Sequence, residues 1–223
     1  MRLIFTAVTA VLLLASSLVQ AAALAVTIWK PIPGKAEAML ESAQAAKAIH
    51  EKLGADVTIA IENTGRLHYA LGFESWTAWA DWQEKVASSK EWAAWQARTN
   101  ANPSAIQEEN FQLDVVPGTQ NPVGEGSPGN AYQVFIWDPP GMRTQALVQA
   151  AMEAKAIHEK HGVTVGINVD QLGRMHYVMN FRDWKHWAKV QDTPDPDFAN
   201  FMLRQAVNPT GELVEVYTAT RLP

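Results

Sequence analysis

Apolar residues recur along this chain with two alternating periods, and the order of the changes outlines a fold. Val26 to Lys30 alternates and is rich in β-forming residues, and Pro31 ends it, which predicts a strand. From Lys35 to Leu53 the period lengthens. Met39, Ala43, Ala46, His50 and Leu53 fall three and four residues apart, on one stripe of a helix that Gly54 stops. Val57, Ile59 and Ile61 then alternate with Thr58, Ala60 and Glu62, a strand with one apolar face. Asn63-Thr64-Gly65 turns that strand into an antiparallel partner over Arg66 to Phe73. Ser75 stands before a Trp-rich helix and Ser89 before a short helix carrying Trp92 and Trp95, where a hydroxyl can accept from free N–H groups. Phe111 to Val116 reads as a last strand.

The same series is then written again. A shift of 108 positions lays Ala46-Lys47-Ala48-Ile49-His50-Glu51-Lys52 on Ala154-Lys155-Ala156-Ile157-His158-Glu159-Lys160, seven consecutive identities. It also lays Gly65-Arg66-Leu67-His68-Tyr69 on Gly173-Arg174-Met175-His176-Tyr177, and Ile28-Trp29 on Ile136-Trp137. Phe73, Trp76 and Trp79 meet Phe181, Trp184 and Trp187, and Asp183 takes the place of Ser75. After a two-residue gap, Trp92 and Trp95 meet Phe198 and Phe201, Arg98 meets Arg204, and Asn102-Pro103 meets Asn208-Pro209; Leu213 to Thr218 is the second last strand. Solenoid repeats recur at about 20 to 50 residues, so a period this long means two domain-sized units. Residues 24–117 form the first, residues 132–223 the second, and the Pro- and Gly-rich stretch 118–131 the linker.

Strand, helix, strand, strand, helix, strand is the order of a ferredoxin-like βαββαβ unit, an α+β arrangement whose sheet carries helices on one face only. Two copies can bury both bare faces by packing them together, which closes a barrel with the helices outside. The Gly-Arg-x-His-Tyr strand, followed by Phe73-Glu74-Ser75-Trp76 and Lys90-Glu91-Trp92, resembles the dimeric alpha-beta barrel superfamily, and within it the antibiotic-biosynthesis-monooxygenase-like domains. The resemblance covers both copies and implies two ferredoxin-like repeats packed as an intramolecular pseudo-dimeric alpha-beta barrel. It also implies, as one activity, cofactor-independent oxidation of a small aromatic substrate, with His68 or His176 as the base that forms the substrate anion. Related barrels include haem enzymes, but no residue pattern here selects haem, so no cofactor and no metal site is expected.

Alternation assigns an interior to such a barrel. On the third strands Leu67, Tyr69, Leu71 and Phe73 go to the helices, leaving Arg66, His68, Ala70 and Gly72 inside, with Arg174, His176, Val178 and Asn180 opposite. Thr58, Ala60, Glu62, Gly166, Asn168 and Asp170 come from the second strands, Trp29 and Trp137 from the first, and Asp114 and Glu215 from the last. This polar and aromatic set predicts a ligand-sized pocket in the lumen. His68 and His176 are its candidate acid/base groups, Arg66 and Arg174 its anion-binding forks, and Trp29 and Trp137 its flat walls. Asn168 and Asn180 stand where the first copy has Ala60 and Gly72, which suggests one oriented ligand. His50 and His158, on the helix stripe, are expected to make structural hydrogen bonds, and the tryptophans at 76, 79, 184 and 187 to be core.

Composition then removes whole classes of chemistry. With 48% hydrophobic and 18% charged residues the chain is an ordinary globular one. Without cysteine it has no disulfide, thiolate metal site or cysteine nucleophile. It has 18 Lys and Arg against 23 Asp and Glu and no basic run, which argues against nucleic acid or an anionic membrane as partner. Arg2, the apolar run Leu3 to Ala15 and the small residues before Ala23 read as a signal peptide over residues 1–23, so the mature chain is expected to be periplasmic or secreted and free of the membrane. The main reading is an exported, non-catalytic protein that holds a small-molecule ligand in the barrel lumen; the monooxygenase-like enzyme is the alternative. A chain that carries its own pseudo-dimer is expected to be a monomer or a weak homo-oligomer.

Overall fold

A computed structural model describes residues 22–119, 129–141 and 143–223; nearly all of the expected leader, and residues 120–128 of the expected linker, lie outside the described residues. The chain runs β1 (Ala23–Pro31), α1 (Ala36–Lys52), β2 (Asp56–Glu62), β3 (Leu67–Phe73), α2 (Trp76–Ser88), α3 (Lys90–Ala101) and β4 (Ala105–Val115). It continues through β5 (Ala131–Asp138), α4 (Thr144–Glu159), β6 (Thr164–Asp170), β7 (Met175–Phe181), α5 (Trp184–Asp192), α6 (Pro196–Val207) and β8 (Glu212–Arg221). The eight strands close one antiparallel barrel in the order β1-β3-β2-β8-β5-β7-β6-β4, with β4 paired back to β1. Two short ladders join its halves, Ala60–Glu62 of β2 with Ala219–Arg221 of β8, and Leu113–Val115 of β4 with Asn168–Asp170 of β6.

Local chemistry sets the element ends. The Ser75 hydroxyl accepts from the Ala78 N–H at 3.1 Å, Ser89 from Trp92 at 3.2 Å and Asp183 from His186 at 2.7 Å, each satisfying a free donor at a helix start. Asp195 does the same for Phe198, ahead of Pro196 at the first helical position. Gly65 and Gly173, with φ of 84° and 83°, take the left-handed conformation that the two hairpin turns require. β4 and β8 begin earlier than the alternating apolar residues indicate. Residues Ala105 to Asn110 are mostly exposed, and what makes them strand is backbone pairing along β1 from Thr27 to Pro31.

Cross-strand partners share a face, and this assigns the interior. Ile28 pairs with His68 and Ile136 with His176, so the isoleucines accompany the histidines into the lumen. Trp29 and Trp137, expected inside, pair with Leu67 and Met175 and face the helices. Both faces of β1 are apolar, so alternation alone carries no sign there; pairing supplies it. Asp114, also expected inside, lies on the outer face, where its carboxylate accepts from Trp76 Nε1 at 2.6 Å. The neighbours Phe111, Leu113 and Val115 take the interior instead. Glu215 stands on the lumen side as expected.

Each third-strand histidine is anchored to a buried carboxylate. His68 Nε2 and Glu62 Oε1 are 2.5 Å apart, and His176 Nε2 and Asp170 Oδ2 are 3.3 Å apart. Arg66 donates through Nε to Glu62 at 2.9 Å, and through Nη2 to Glu215 of the other half at 2.6 Å. Arg174 donates through Nε to Asp170 at 2.8 Å. The rings cross over as well, His68 against Tyr217 at 4.6 Å and His176 against Phe111 at 4.9 Å, so each histidine packs on the opposite half.

Burial by itself raises the Glu62 carboxyl, but hydrogen bonds from His68, Arg66 and Thr64 outweigh it and bring the pKa down to about 2. Asp170 is brought to about 2 in the same way, against burial, by His176 and Arg174. A carboxylate lowered in the folded state adds stability that is complete above its unfolded value, 4.5 for Glu62, and is lost as pH falls through about 2. The urea midpoint is therefore expected to drop between pH 7 and pH 3. Glu62→Gln is expected to destabilise the protein by about 3 kcal/mol at pH 7, as the loss of one partner of a buried pair does, and to shrink that drop; an undiminished drop would show that the network does not carry it.

Candidate functional site

The lumen gathers most of the residues that alternation selects, yet leaves little room. His68, His176, Asn168 and Asn180 are buried in it, and Arg66 and Arg174 sit half-buried beside Glu62 and Asp170. Asn180 donates to the Thr164 carbonyl at 3.4 Å and accepts from Arg221 at 3.3 Å. The space among these residues is about 60 Å³, small beside the roughly 300 Å³ at which typical ligand pockets begin. Among the described residues the lumen space is smaller than the ligand-sized pocket expected there, because Leu24, Phe111, Leu113, Tyr132, Val134 and Tyr217 fill much of the barrel from β1, β4, β5 and β8. Among the described residues no group of three His, Asp or Glu converges as a metal-binding cluster.

The larger spaces lie outside the barrel, between sheet and helices. One of about 410 Å³ opens between β1, β3 and β4 on one side and α1 and α3 on the other. The α1 stripe explains it: Ala43 and Ala46 present only methyl groups to the sheet, while Trp29, Trp92 and Trp95 hold the layers apart. Trp92 and Trp95 stack with centroids 4.4 Å apart and planes 13° from parallel, and Trp95 Nε1 donates to the Ser42 carbonyl at 3.2 Å. A second space of about 280 Å³ occupies the corresponding place between β5, β7 and the helices α4 and α6. Trp137, Phe198 and Phe201 wall it, beside Ala150, Ala151 and Ala154.

His50 lines the first cavity at 5% exposure, and its Nδ1 is hydrogen-bonded to the Tyr69 hydroxyl at 2.9 Å. This is the structural bond expected of it, but it engages only one ring nitrogen. The His50 Nε2 is buried and has no hydrogen-bond partner. Burial lowers the His50 pKa from 6.5 to about 4, so the imidazole is neutral at pH 7. Burial likewise pushes the Tyr69 hydroxyl far above the ordinary phenol range, so it keeps its proton. Whichever tautomer is present, Nε2 offers either a lone pair or an N–H to a molecule in the cavity. His158 and Tyr177 form the equivalent pair at 2.7 Å. Burial first, and then His161, brings the His158 pKa to about 4.

Sequence reasoning placed Trp29 and Trp137 in the lumen, assigned His50 and His158 structural hydrogen bonds, and did not foresee a cavity between sheet and helices. The available signal was the run of small residues on the buried face of α1, set against large aromatics on β1 and α3. Two layers propped by tryptophan and faced with alanine cannot close completely.

No protein-family model matches the chain, and no curated protein does. Solved structures do. A proposed monooxygenase from Fusobacterium nucleatum is 10% identical over 91% of this chain and 92% of its own, with a TM-score of 0.61. An anthrone oxidase-like protein is 11% identical over 92% of each chain, also at 0.61. A mutant chlorite dismutase from Candidatus Nitrospira defluvii is 10% identical over 91% of this chain and 92% of its own, at 0.53. At these identities the likeness is one of fold, and it sets this closed eight-stranded α+β barrel beside proteins of dimeric alpha-beta barrel architecture.

Proposed function

We propose that this chain is a small-molecule-binding barrel protein whose guest occupies the cavity between β1, β3, α1 and α3. The observation that carries the reading is His50, buried in a space of about 410 Å³ with Nε2 unpartnered. Ligand pockets are typically about 300 to 1,000 Å³ and mostly apolar, with a few placed polar groups. An unsatisfied buried nitrogen is costly until something pairs with it. The guest that fits is flat and largely apolar, stacks on Trp29, Trp92 or Trp95, and carries one hydroxyl or carbonyl for Nε2.

The wider setting belongs to the same reading. The identities at an offset of 108, together with the matching element order of residues 23–115 and 131–221, support two duplicated ferredoxin-like units, 24–117 and 132–223, joined by the linker 118–131 as an intramolecular pseudo-dimer. The antibiotic-biosynthesis-monooxygenase likeness rests on that arrangement. Residues 1–23 support export to the periplasm or beyond.

A second reading, oxidation of the guest by dioxygen, is favoured by the likeness to a proposed monooxygenase and to an anthrone oxidase-like protein, and by the neutral state of His50. In it His50, rather than His68 or His176, is the base that takes the acidic proton of an aromatic hydroxyl. Nε2 of both lumen histidines is already held by a carboxylate.

Calorimetric titration of the purified chain with 2-naphthol is expected to show binding that weakens at least tenfold in Ala46→Phe, which fills the cavity, and in Trp92→Ala. Equal affinity in Ala46→Phe, or no binding to the wild-type chain, would overturn the reading. Oxygen uptake during incubation with 2-naphthol separates the two readings: turnover that disappears in His50→Gln marks the enzyme, and ligand recovered unchanged marks the binder. Between their ordinary value of 6.5 and about 4, the folded protein leaves His50 and His158 unprotonated while the unfolded chain protonates them. Stability is therefore expected to fall as pH drops from 6.5 to 4, and the slope of unfolding free energy across that window to shrink in the His50→Gln/His158→Gln double variant.

A further inference from the structure

The two sheet-helix cavities occupy matching places but are lined by different chemistry, and we infer that they select guests in opposite directions, the first a hydroxyl-bearing aromatic and the second an unsubstituted hydrocarbon. The inference rests on the reading of the sheet-helix space as a binding site and extends it to a second site of different specificity.

Matching positions carry the comparison. Thr27 in the first cavity is replaced by Phe135 in the second, and Ser42 by Ala150. At the mouth, Gln96 gives way to Met202 and Asn100 to Ala206. Each of these four changes removes a hydrogen-bonding group, while Thr99 is replaced by Gln205. The second cavity keeps fewer polar side chains, and some of these bond to one another. Thr210 donates to Gln205 at 2.9 Å, and His158 Nδ1 is bonded to Tyr177 at 2.7 Å. In the first cavity the Thr99 hydroxyl, at the position of Gln205, turns to the Trp95 carbonyl at 3.1 Å, and among the described residues the buried His50 Nε2 has no partner.

The approach to the second cavity is apolar too. Met202 lines it while 45% exposed, and Leu203 and Val207 on the same helix are 68% and 88% exposed. The matching residues of α3 are Gln96, Ala97 and Ala101. An apolar cavity with an exposed apolar residue such as Met202 in its lining takes in a hydrocarbon without asking it to shed hydrogen bonds. A cavity of about 280 Å³ holds a two-ring molecule. The first cavity discriminates the other way: a site with an unpaired buried nitrogen disfavours a guest that cannot pair with it.

Naphthalene and 2-naphthol, which differ by one hydroxyl, test this on the full chain, with Ala46→Phe filling the first cavity and Ala154→Phe the second. Naphthalene is expected to bind wild type and Ala46→Phe alike, and to weaken at least tenfold in Ala154→Phe. No naphthalene binding to wild type, or loss in Ala46→Phe rather than Ala154→Phe, overturns the inference. The response of 2-naphthol to Ala46→Phe reports separately on the first cavity, so either site can fail alone. Should Ala154→Phe not fold, tryptophan quenching decides: quenching by naphthalene should fall in Trp137→Phe relative to wild type, and equal quenching in both overturns the inference.

Discussion

Leu24, Ile28, Phe111, Leu113, Tyr132, Val134 and Ile136 pack against one another inside the barrel, and that packing commits the opposite face of every strand to the helices. An antiparallel sheet with helices on one side can leave its other side to water unless that side is apolar, as it is here, and then it must be buried. Here the other half of the chain supplies the cover, although the ladders that join the halves are short. Side chains therefore complete the closure: His68 on Tyr217, His176 on Phe111, and Arg66 reaching from Glu62 to Glu215. Residues that look catalytic in one dimension also fasten the two halves of the barrel in three.

Filling the lumen moves the usable space outward. A helix laid on a pleated sheet approaches only as closely as its facing side chains allow. The alanines of α1 and α4 would permit a close approach, but Trp29, Trp92 and Trp95 on one side, and Trp137, Phe198 and Phe201 on the other, prevent it. Cavities follow on both sides, each beside a histidine-tyrosine pair whose imidazole burial keeps neutral. A neutral imidazole with a nitrogen to spare can bind or abstract a proton, and in the lumen His68 and His176 each tie to a carboxylate through Nε2.

Much of this was legible along the chain. The strand and helix order, the Ser75, Ser89 and Asp183 caps, the hairpin turns and the inward direction of β2, β3, β6 and β7 follow from local periodicity, because one face of those strands is polar and the other apolar. Where both faces are apolar, as on β1, local pattern has no sign. Only the pairing of Ile28 with His68 turned Trp29 outward, and with it Trp137 on β5. The polar run from Gln107 to Asn110 was equally silent, since β1 makes it strand through backbone bonds that no side chain records. The sequence by itself thus determined which elements form and which residues recur. The tertiary structure decided which of them enclose space, because a cavity is a property of the distance between two layers, and that distance is set by side chains far apart in the chain.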